Sequence, residues 1–499
     1  MKSSGGRPSR IPLNPFVHEV KLSSAQKIQF GLMSVTVFPV RLVLAVAFMV
    51  LAWAFCYVGA LGRSKSVLGP KTWRTRFFDF GVRKSMRAMW FFCGFHWVKV
   101  KGQRADPSDA PILVMAPHSA YFDAIPVSET LCTFVTKESG KEVPLWRSII
   151  EYVRPVYVLR GDQDSRKRTV EEIKRRVTSG EPWPQLMIFP EGTCTNRIGL
   201  ILFKAGSFIP GLPVQPVVLR YPNPLDTVTW AWQGPGGLKI LWLTLCQFHN
   251  SLEIEYLPVY NPSEEEKKNP ALFAENVRKL MAKALELPLI DLAFDDCDIT
   301  VSEGPLRIFN FSSLLEFNQM VVRLGLKGST NPAVLGRQAE EARRLRGEGL
   351  TVEDFAQRLG LSVSDKLRQV HGVFDQTEDG LIDYRRYVIA LSTVYQPKKT
   401  KETLKLAFKM YQDEDDGSVT EEDLAAILEI MLGVEKVDLS GLFLSLQEET
   451  GKITYDELCD FIDKHPDFTQ NYIRFKNHPS AFCFSRERSS SSKDQKKRD

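Results

Sequence analysis

An α/β domain, preceded by membrane-anchoring helices and followed by an all-α domain, is the fold class that this 499-residue sequence predicts. Three observations carry the prediction. Residues 42–61 form a 20-residue run without a charge. Between 96 and 300, short apolar runs alternate with amphipathic segments, the signature of strands spaced by helices. Beyond 300 the chain turns acidic and helical, with aspartate-bearing loops. The expected divisions are a flexible N-terminus (1–27), an anchor with an interfacial helix (28–95), the α/β domain (96–300), the helical domain (301–475) and a disordered tail (476–499).

Composition narrows the class. With 43% hydrophobic and 25% charged residues, the chain is neither wholly disordered, nor fibrous, nor a multi-span transporter. The net charge of +5 is small, and no nucleic-acid partner is expected. Basic residues crowd the first hundred positions and acidic runs gather after 350. Eight cysteines are scattered without a CxxC, so neither a zinc site nor a disulfide framework is indicated. Reduced, mostly buried thiols fit a body facing the cytosol.

A helix over 42–61 rises about 30 Å, enough to cross a bilayer core. Arg41 and Arg63 bracket it. A second uncharged stretch, 28–40, is too short to cross alone and can form a re-entrant hairpin with the first; a buried core helix is the competing reading. Over 73–93 a helix would place Phe78, Val82, Met86, Met89, Phe92 and Cys93 on one side. Arg76, Arg83, Lys84 and Arg87 would lie roughly opposite, as in an interfacial segment. Lys and Arg flank both ends of the span, so charge counting leaves its orientation open. Lys496 and Lys497, third and fourth from the end, resemble a dilysine retrieval signal of endoplasmic-reticulum membrane proteins.

In the central domain, 111–116, 155–159, 185–189 and 214–219 read as buried strands. A helix is expected over 169–177, with Thr169 and Glu172 as a capping box. Chemistry in such sheets gathers where loops leave the strand ends. The first strand runs into HSAYFD, with His118 and Asp123 five apart. On a regular helix they would diverge, but a turn entering a helix can join them. A carboxylate on one imidazole nitrogen fixes the tautomer and leaves the other nitrogen as a base. After the third strand comes FPEGTCTN and then Arg197. There Gly192 suits close backbone approach to phosphate, Arg197 can add charge-assisted bonds, and Glu191 suits a hydroxyl better than an anion. Cys194 is the competing candidate, as a covalent nucleophile with His118 as its base. The second strand leads into a basic loop at 160–168, and 213–218 (PVQPVV) reads as a pocket wall.

The C-terminal loops resemble EF-hands. In 375–386, Asp375, Thr377, Asp379 and Asp383 fill metal-ligand positions 1, 3, 5 and 9, with Gly380 at 6. Arg386 stands where a bidentate Glu belongs, so Ca²⁺ binding should be weak. Loops at 412–423 and 446–457 begin with Gln and Leu. A structural or protein-interaction module and a weak calcium sensor both remain open.

Four ordered blocks, HSAYFD, the VYVLRGDQDSR region, FPEGTCTN and PVQPVV, resemble the glycerolipid acyltransferase family. With NPFVHE at 14–19 and the EF-hand-like region, the resemblance covers about 13–475 and extends to lysophosphatidylcholine acyltransferases. It implies an acyltransferase domain with acyl-CoA as co-substrate, no tightly bound organic cofactor, and a membrane lysophospholipid as acceptor. Acetyl-CoA, with the alkyl analogue lyso-platelet-activating factor, is a further donor–acceptor pair that it allows. It implies His118 as general base and Asp123 as its orienting partner. Arg160, Glu191, Gly192 and Thr193 would meet the acceptor, while Pro213, Val214 and Pro216 would shape the acyl site. Related lysophosphatidate enzymes often carry a basic residue where Cys194 stands, so a zwitterionic phosphocholine head suits this chain better than a phosphomonoester. A calcium-responsive membrane adaptor with a decayed enzyme domain is the rival class. The implied home is the endoplasmic-reticulum membrane, with Golgi and lipid droplet as further sites; a hairpin anchor, unlike a full span, can sit on a droplet monolayer.

Overall fold

The computed structural model describes residues 14–61, 72–137, 144–158, 163–181, 183–301, 304–306, 308, 311–326, 330–375, 377–446 and 451–476. The chain divides into two compact units, Met1–Cys297 and Asp298–Asp499. Arg160, Cys483 and the dilysine end lie outside the described residues.

Helix α1 (Ser24–Val35) opens with a capping box between Ser23 and Gln26. The chain turns at Thr36 into α2 (Val37–Ala60), the one described helix long and apolar enough to cross a membrane, with mean hydropathy 2.4. Arg41 therefore lies inside the helix rather than before it. Its guanidinium donates to the carbonyls of Leu245 (2.9 Å), Gln247 and Phe248 (2.9 Å). Those carbonyls lie at and just past the C-terminal end of the helix Gly237–Leu245, where a cation complements the helix dipole.

Helix α3 (Trp73–Phe92) packs closely on α2. A Cβ at Gly81 would stand 2.5 Å from Phe55, and one at Gly59 would stand 2.9 Å from Phe78. Val82, Met86, Met89 and Cys93 are buried as the helical spacing predicts, while Arg76, Arg83 and Lys84 are exposed. Arg87 turns back to donate to the Phe95 and His96 carbonyls (2.9 and 2.7 Å). Trp73, Phe77, Phe80 and Phe91 remain exposed on α3, beside exposed Val43, Val50 and Tyr57 on α2. This apolar surface suits lipid better than water.

The sheet has seven strands: β1 (Val98–Lys101), β2 (Ile112–Ala116), β3 (Thr133–Lys137), β4 (Val156–Val158), β5 (Leu186–Ile188), β6 (Val214–Arg220) and β7 (Leu252–Tyr256). Their order is β1-β7-β6-β2-β5-β3-β4, with only β6 and β7 antiparallel. Strands β2, β4, β5 and β6 match the four expected. The other three went unread because their apolar runs are interrupted by Lys, Thr or Glu; in β7 buried residues alternate with half-buried Glu253 and Glu255.

Every residue of β2 is buried, as a strand covered on both faces requires. One face (Leu113, Met115, Val217, Leu219) joins the α3 core. The other (Ile112, Val114, Val218) meets Phe273, Val277 and Met281 of the helix Pro270–Leu285. The expected helix begins six residues early, at Gln163, and runs to Thr178. Thr169 thus lies inside it and donates to the Tyr157 carbonyl (3.2 Å) instead of capping.

The second unit contains four described helix–loop–helix segments. They are Pro332–Arg344 with Val352–Leu359, Asp365–Phe374 with Tyr384–Tyr395, Thr400–Tyr411 with Glu421–Leu432, and Ser440–Leu446 with Tyr455–Lys464. Their loops pair two by two, through Leu350 with Ile382 and through Ser418–Thr420 with Lys452–Thr454.

Candidate active site

Three adjacent strands, β5, β2 and β6, deliver the site, because each points its carboxyl end to the same edge of the sheet. After β2 and a cis Ala116–Pro117 bond, a 3-10 turn at Tyr121–Ala124 carries Asp123 back beneath His118. His118 Nδ1 lies 2.8 Å from Asp123 Oδ2. The N–H groups of Ser119 and Ala120 donate to the same oxygen (2.6 and 3.0 Å). The Tyr221 hydroxyl, just past β6, donates to Oδ1 at 2.5 Å. Asp123 is 1% exposed, whereas the His118 side chain is 24% exposed and stacks on Phe189. The dyad expected from the sequence is therefore assembled, with Nε2 as the imidazole nitrogen not held by Asp123.

Burial alone would lower the His118 pKa, but Cys194 and Asp123 outweigh it and hold it well above its ordinary 6.5. Burial opposes ionisation of Asp123 as well; bonds from His118, Tyr221 and Ala120 nonetheless keep its carboxyl below the usual range. The Cys194 side chain also hydrogen-bonds the imidazole. It is half-buried and carries no disulfide.

Several expectations about the FPEGTCTN loop need correction. Glu191 is fully buried, and its Oε2 accepts the His118 N–H at 2.7 Å. Burial pushes its carboxyl up to about 7. That oxygen braces the backbone of the base. Thr193, also buried, accepts a hydrogen bond from the Trp232 indole (2.7 Å). Arg197 is no free cation for phosphate: it pairs with Asp226 at 2.6 Å and lies 5.0 Å over the Tyr221 ring. Gly192 does adopt the left-handed conformation, φ +67°, beside Lys204, a shape that only glycine takes without strain.

The PVQPVV wall is displaced. Val214 pairs with Ile112 and Pro216 with Val114, whereas Val218 pairs with Ala116 beside the dyad. Val214 thus lies about 13 Å back along the strand, buried in the sheet core with Pro216. Pro213 opens onto a cavity of about 390 Å³ at the amino ends of the strands, lined also by Pro111, Trp183 and Leu212. Sequence reading missed Tyr221, Asp226 and Trp232. Tyr221 carries the one available signal, since it follows a buried strand directly, as His118 and Glu191 nearly do.

In the loop at 375–386 several of the expected ligands have partners within the protein. Asp383 is taken by the Arg385 guanidinium (2.8 Å), and Arg386 reaches toward Glu429 at 3.9 Å. Asp375 accepts the Gly380 N–H and Asp379 the Leu381 N–H; Thr377 is exposed. No group of three or more His, Cys, Asp or Glu able to hold a metal ion occurs among the described residues.

The acyltransferase family pattern matches residues 97–220, the stretch that carries the dyad and ends one residue before Tyr221. Lysophosphatidylcholine acyltransferase 1 of Danio rerio is 54% identical over 92% of this chain and 89% of its own length. The Homo sapiens type 1 protein is 52% identical over 92% and 86%. Lysophosphatidylcholine acyltransferase 2 of Homo sapiens is 41% identical over 96% and 88%. With relatives so similar along nearly their whole lengths, and a base-and-carboxylate dyad where the family pattern lies, this chain belongs to the acyltransferase family and, within it, to the lysophosphatidylcholine acyltransferases.

Proposed function

We propose that the protein transfers an acyl group from acyl-CoA to the free hydroxyl of lysophosphatidylcholine, giving phosphatidylcholine. The observation that carries this reading is the 2.8 Å His118–Asp123 contact at the mouth of a sheet whose flanking helices expose apolar surface. Nε2 of neutral His118 takes the hydroxyl proton. The oxygen attacks the thioester carbonyl, the C–S bond breaks, and CoA leaves as its thiol after receiving that proton. Such base catalysis contributes about 10²–10⁴-fold, and alignment of the two substrates supplies much of the rest. Acetyl-CoA is a smaller donor for the same chemistry. Cys194 touches the base but need not form an acyl-enzyme.

Helices α2 and α3 act together as the anchor, in the endoplasmic reticulum with the Golgi and lipid droplets as further sites. The C-terminal segments serve as an EF-hand-like module that does not depend on calcium. The test is CoA thiol release by the full chain in nanodiscs, with long-chain acyl-CoA and lysophosphatidylcholine. His118→Ala should abolish it while the protein stays folded, with a single cooperative thermal transition. Near-normal turnover in that variant would overturn the reading.

A further inference from the structure

We propose that Tyr221 is a positioning residue of the His118–Asp123 dyad, held in place through Arg197, Asp226 and His18, so that segment 14–18 supports the catalytic centre. This rests on the function proposed above. Asp123 divides its two oxygens. His118 and two backbone N–H groups occupy Oδ2, while Oδ1 has Tyr221 at 2.5 Å and Ser119 Oγ only at 3.5 Å. Without the phenol, Oδ1 loses its one short bond, and the carboxylate is held through Oδ2 alone.

The phenol is itself pinned. Its ring lies under the Arg197 guanidinium (5.0 Å) and against Phe95 (6.4 Å). Arg197 is held by Asp226 (2.6 Å). Asp226 also accepts from Thr229 Oγ1 (2.7 Å) and from the Val228 and Thr229 N–H groups. His18 Nε2 lies 3.1 Å from the Asp226 carbonyl and 3.9 Å from its carboxylate.

The same N-terminal segment is laced to the site from two directions. The Asn196 amide donates to the Asn14 and Val17 carbonyls (2.9 and 2.7 Å), and its N–H to the Pro15 carbonyl (2.8 Å). His18 N–H donates to Gln233 O, and Gln233 N–H to Phe16 O. Phe16 is fully buried. The NPFVHE motif, a hundred residues from the base in sequence, thereby gains a physical role: it fixes the loop that carries Arg197.

The charged and titratable groups around the pair can be named on each side. His118 meets Asp123, Cys194 and, through its backbone, Glu191. Tyr221 meets Asp123, Arg197 and Asp226. A phenol donating to an ionised carboxylate spreads its charge and lowers its hold on a proton. Tyr221→Phe keeps the ring contacts and deletes only that bond. The Asp–His pair should then bind its proton more tightly, and the base form should appear at higher pH.

The experiment uses the full chain in nanodiscs and measures two quantities against pH. One is kcat and KM for CoA thiol release with acyl-CoA and lysophosphatidylcholine. The other is the rate at which diethyl pyrocarbonate modifies His118, taken as the difference from His118→Ala, which needs no turnover. For Tyr221→Phe the acid limb of kcat/KM should rise by about half a unit to one unit. At pH values below the limb, kcat should fall about 3–10-fold, with both KM values within about twofold. The modification curve should move by the same amount. Arg197→Lys, which keeps the charge but loses the planar fork, should shift both curves the same way by less. Superimposable curves, or a loss uniform across pH, would overturn the proposal. A wild-type protein without thiol release would refute the function above, while the modification curves would still decide the role of Tyr221.

Discussion

Asp123→Asn separates the dyad's charge from its shape. The carboxylate accepts four bonds of 3.0 Å or less, from His118, Ser119, Ala120 and Tyr221. An amide keeps the volume but replaces one acceptor oxygen with a donor. Two of the surrounding donors then lose a partner in a buried site, so a loss of about 2–6 kcal/mol in folding stability is expected, at about 1–3 kcal/mol each. The amide can also present its NH₂ to Nδ1 and so reverse the tautomer. That would leave a proton on Nε2, the nitrogen that must accept one, and kcat should fall about 10²–10⁴-fold. Loss of the negative charge lowers the His118 pKa, so the residual activity should have its acid limb at lower pH than wild type. Urea titration gives the first quantity and pH-dependent thiol release the other two. A kcat within about threefold of wild type, or a limb displaced upward, would refute the assignment of Asp123. The direction is opposite to that expected for Tyr221→Phe, because one change removes the charge and the other removes a group that spreads it.

Cys194→Ser should retain at least a third of wild-type kcat, whereas a covalent nucleophile there would make the variant inactive and produce an acyl-enzyme visible by intact-mass spectrometry. His118 has a folded pKa above 6.5, so its ionised form adds stability that is full below about pH 6.5 and fades as pH rises through the folded value. The stability gap between wild type and His118→Gln should therefore shrink above pH 6.5, and chemical melts at several pH values will show whether it does. In the second unit, Lys452 Nζ bridges Asp413 and Asp416 at 3.2 Å each, an ammonium standing among carboxylates. Calorimetry on the full chain should detect no Ca²⁺ binding tighter than about 10⁻⁴ M, the weak end of such loops; micromolar affinity would contradict the pairing of Asp383 with Arg385.

What could be read from the sequence followed from how local each determinant is. The strand β2 is five apolar residues in a row, and the dyad lies within seven residues of its end, so a local pattern sufficed for both. The span at 42–61 was legible for the same reason, although α2 begins five residues earlier. Arg41 can enter that helix because carbonyls more than 200 residues away receive its charge, and nothing near position 41 announces them. Arg197 was misjudged by the same mechanism, since its neutralising partner, Asp226, is distant in sequence. The PVQPVV block was read correctly as a strand but not placed along it. Apolar character says that a residue is buried, whereas register decides whether it lies near the carboxyl edge, and register comes from pairing with β2.

On the proposed function, the placement of Asp123 links the anchoring helices to the chemistry. Its turn also carries Phe122, fully buried against Trp90 (6.1 Å) and Phe95 (5.2 Å). Trp90 lies on α3, one residue before exposed Phe91. The helix whose outer face suits lipid therefore packs its inner face directly on the turn that aims the base. With those helices in a bilayer, a rigid contact of this kind would fix the depth of the dyad relative to the surface, because close-packed cores transmit displacement rather than absorb it. A lysolipid has its hydroxyl near the headgroup level while its chain stays in the hydrocarbon. An active site mounted on the anchor can thus meet that hydroxyl without drawing the chain into water, which would cost about 0.8 kcal/mol per methylene. Substitutions that loosen the contact, such as Trp90→Ala, should then lower turnover on bilayer-held lysolipid more than on a short-chain, water-soluble analogue. Equal losses on both would show that the packing serves stability alone.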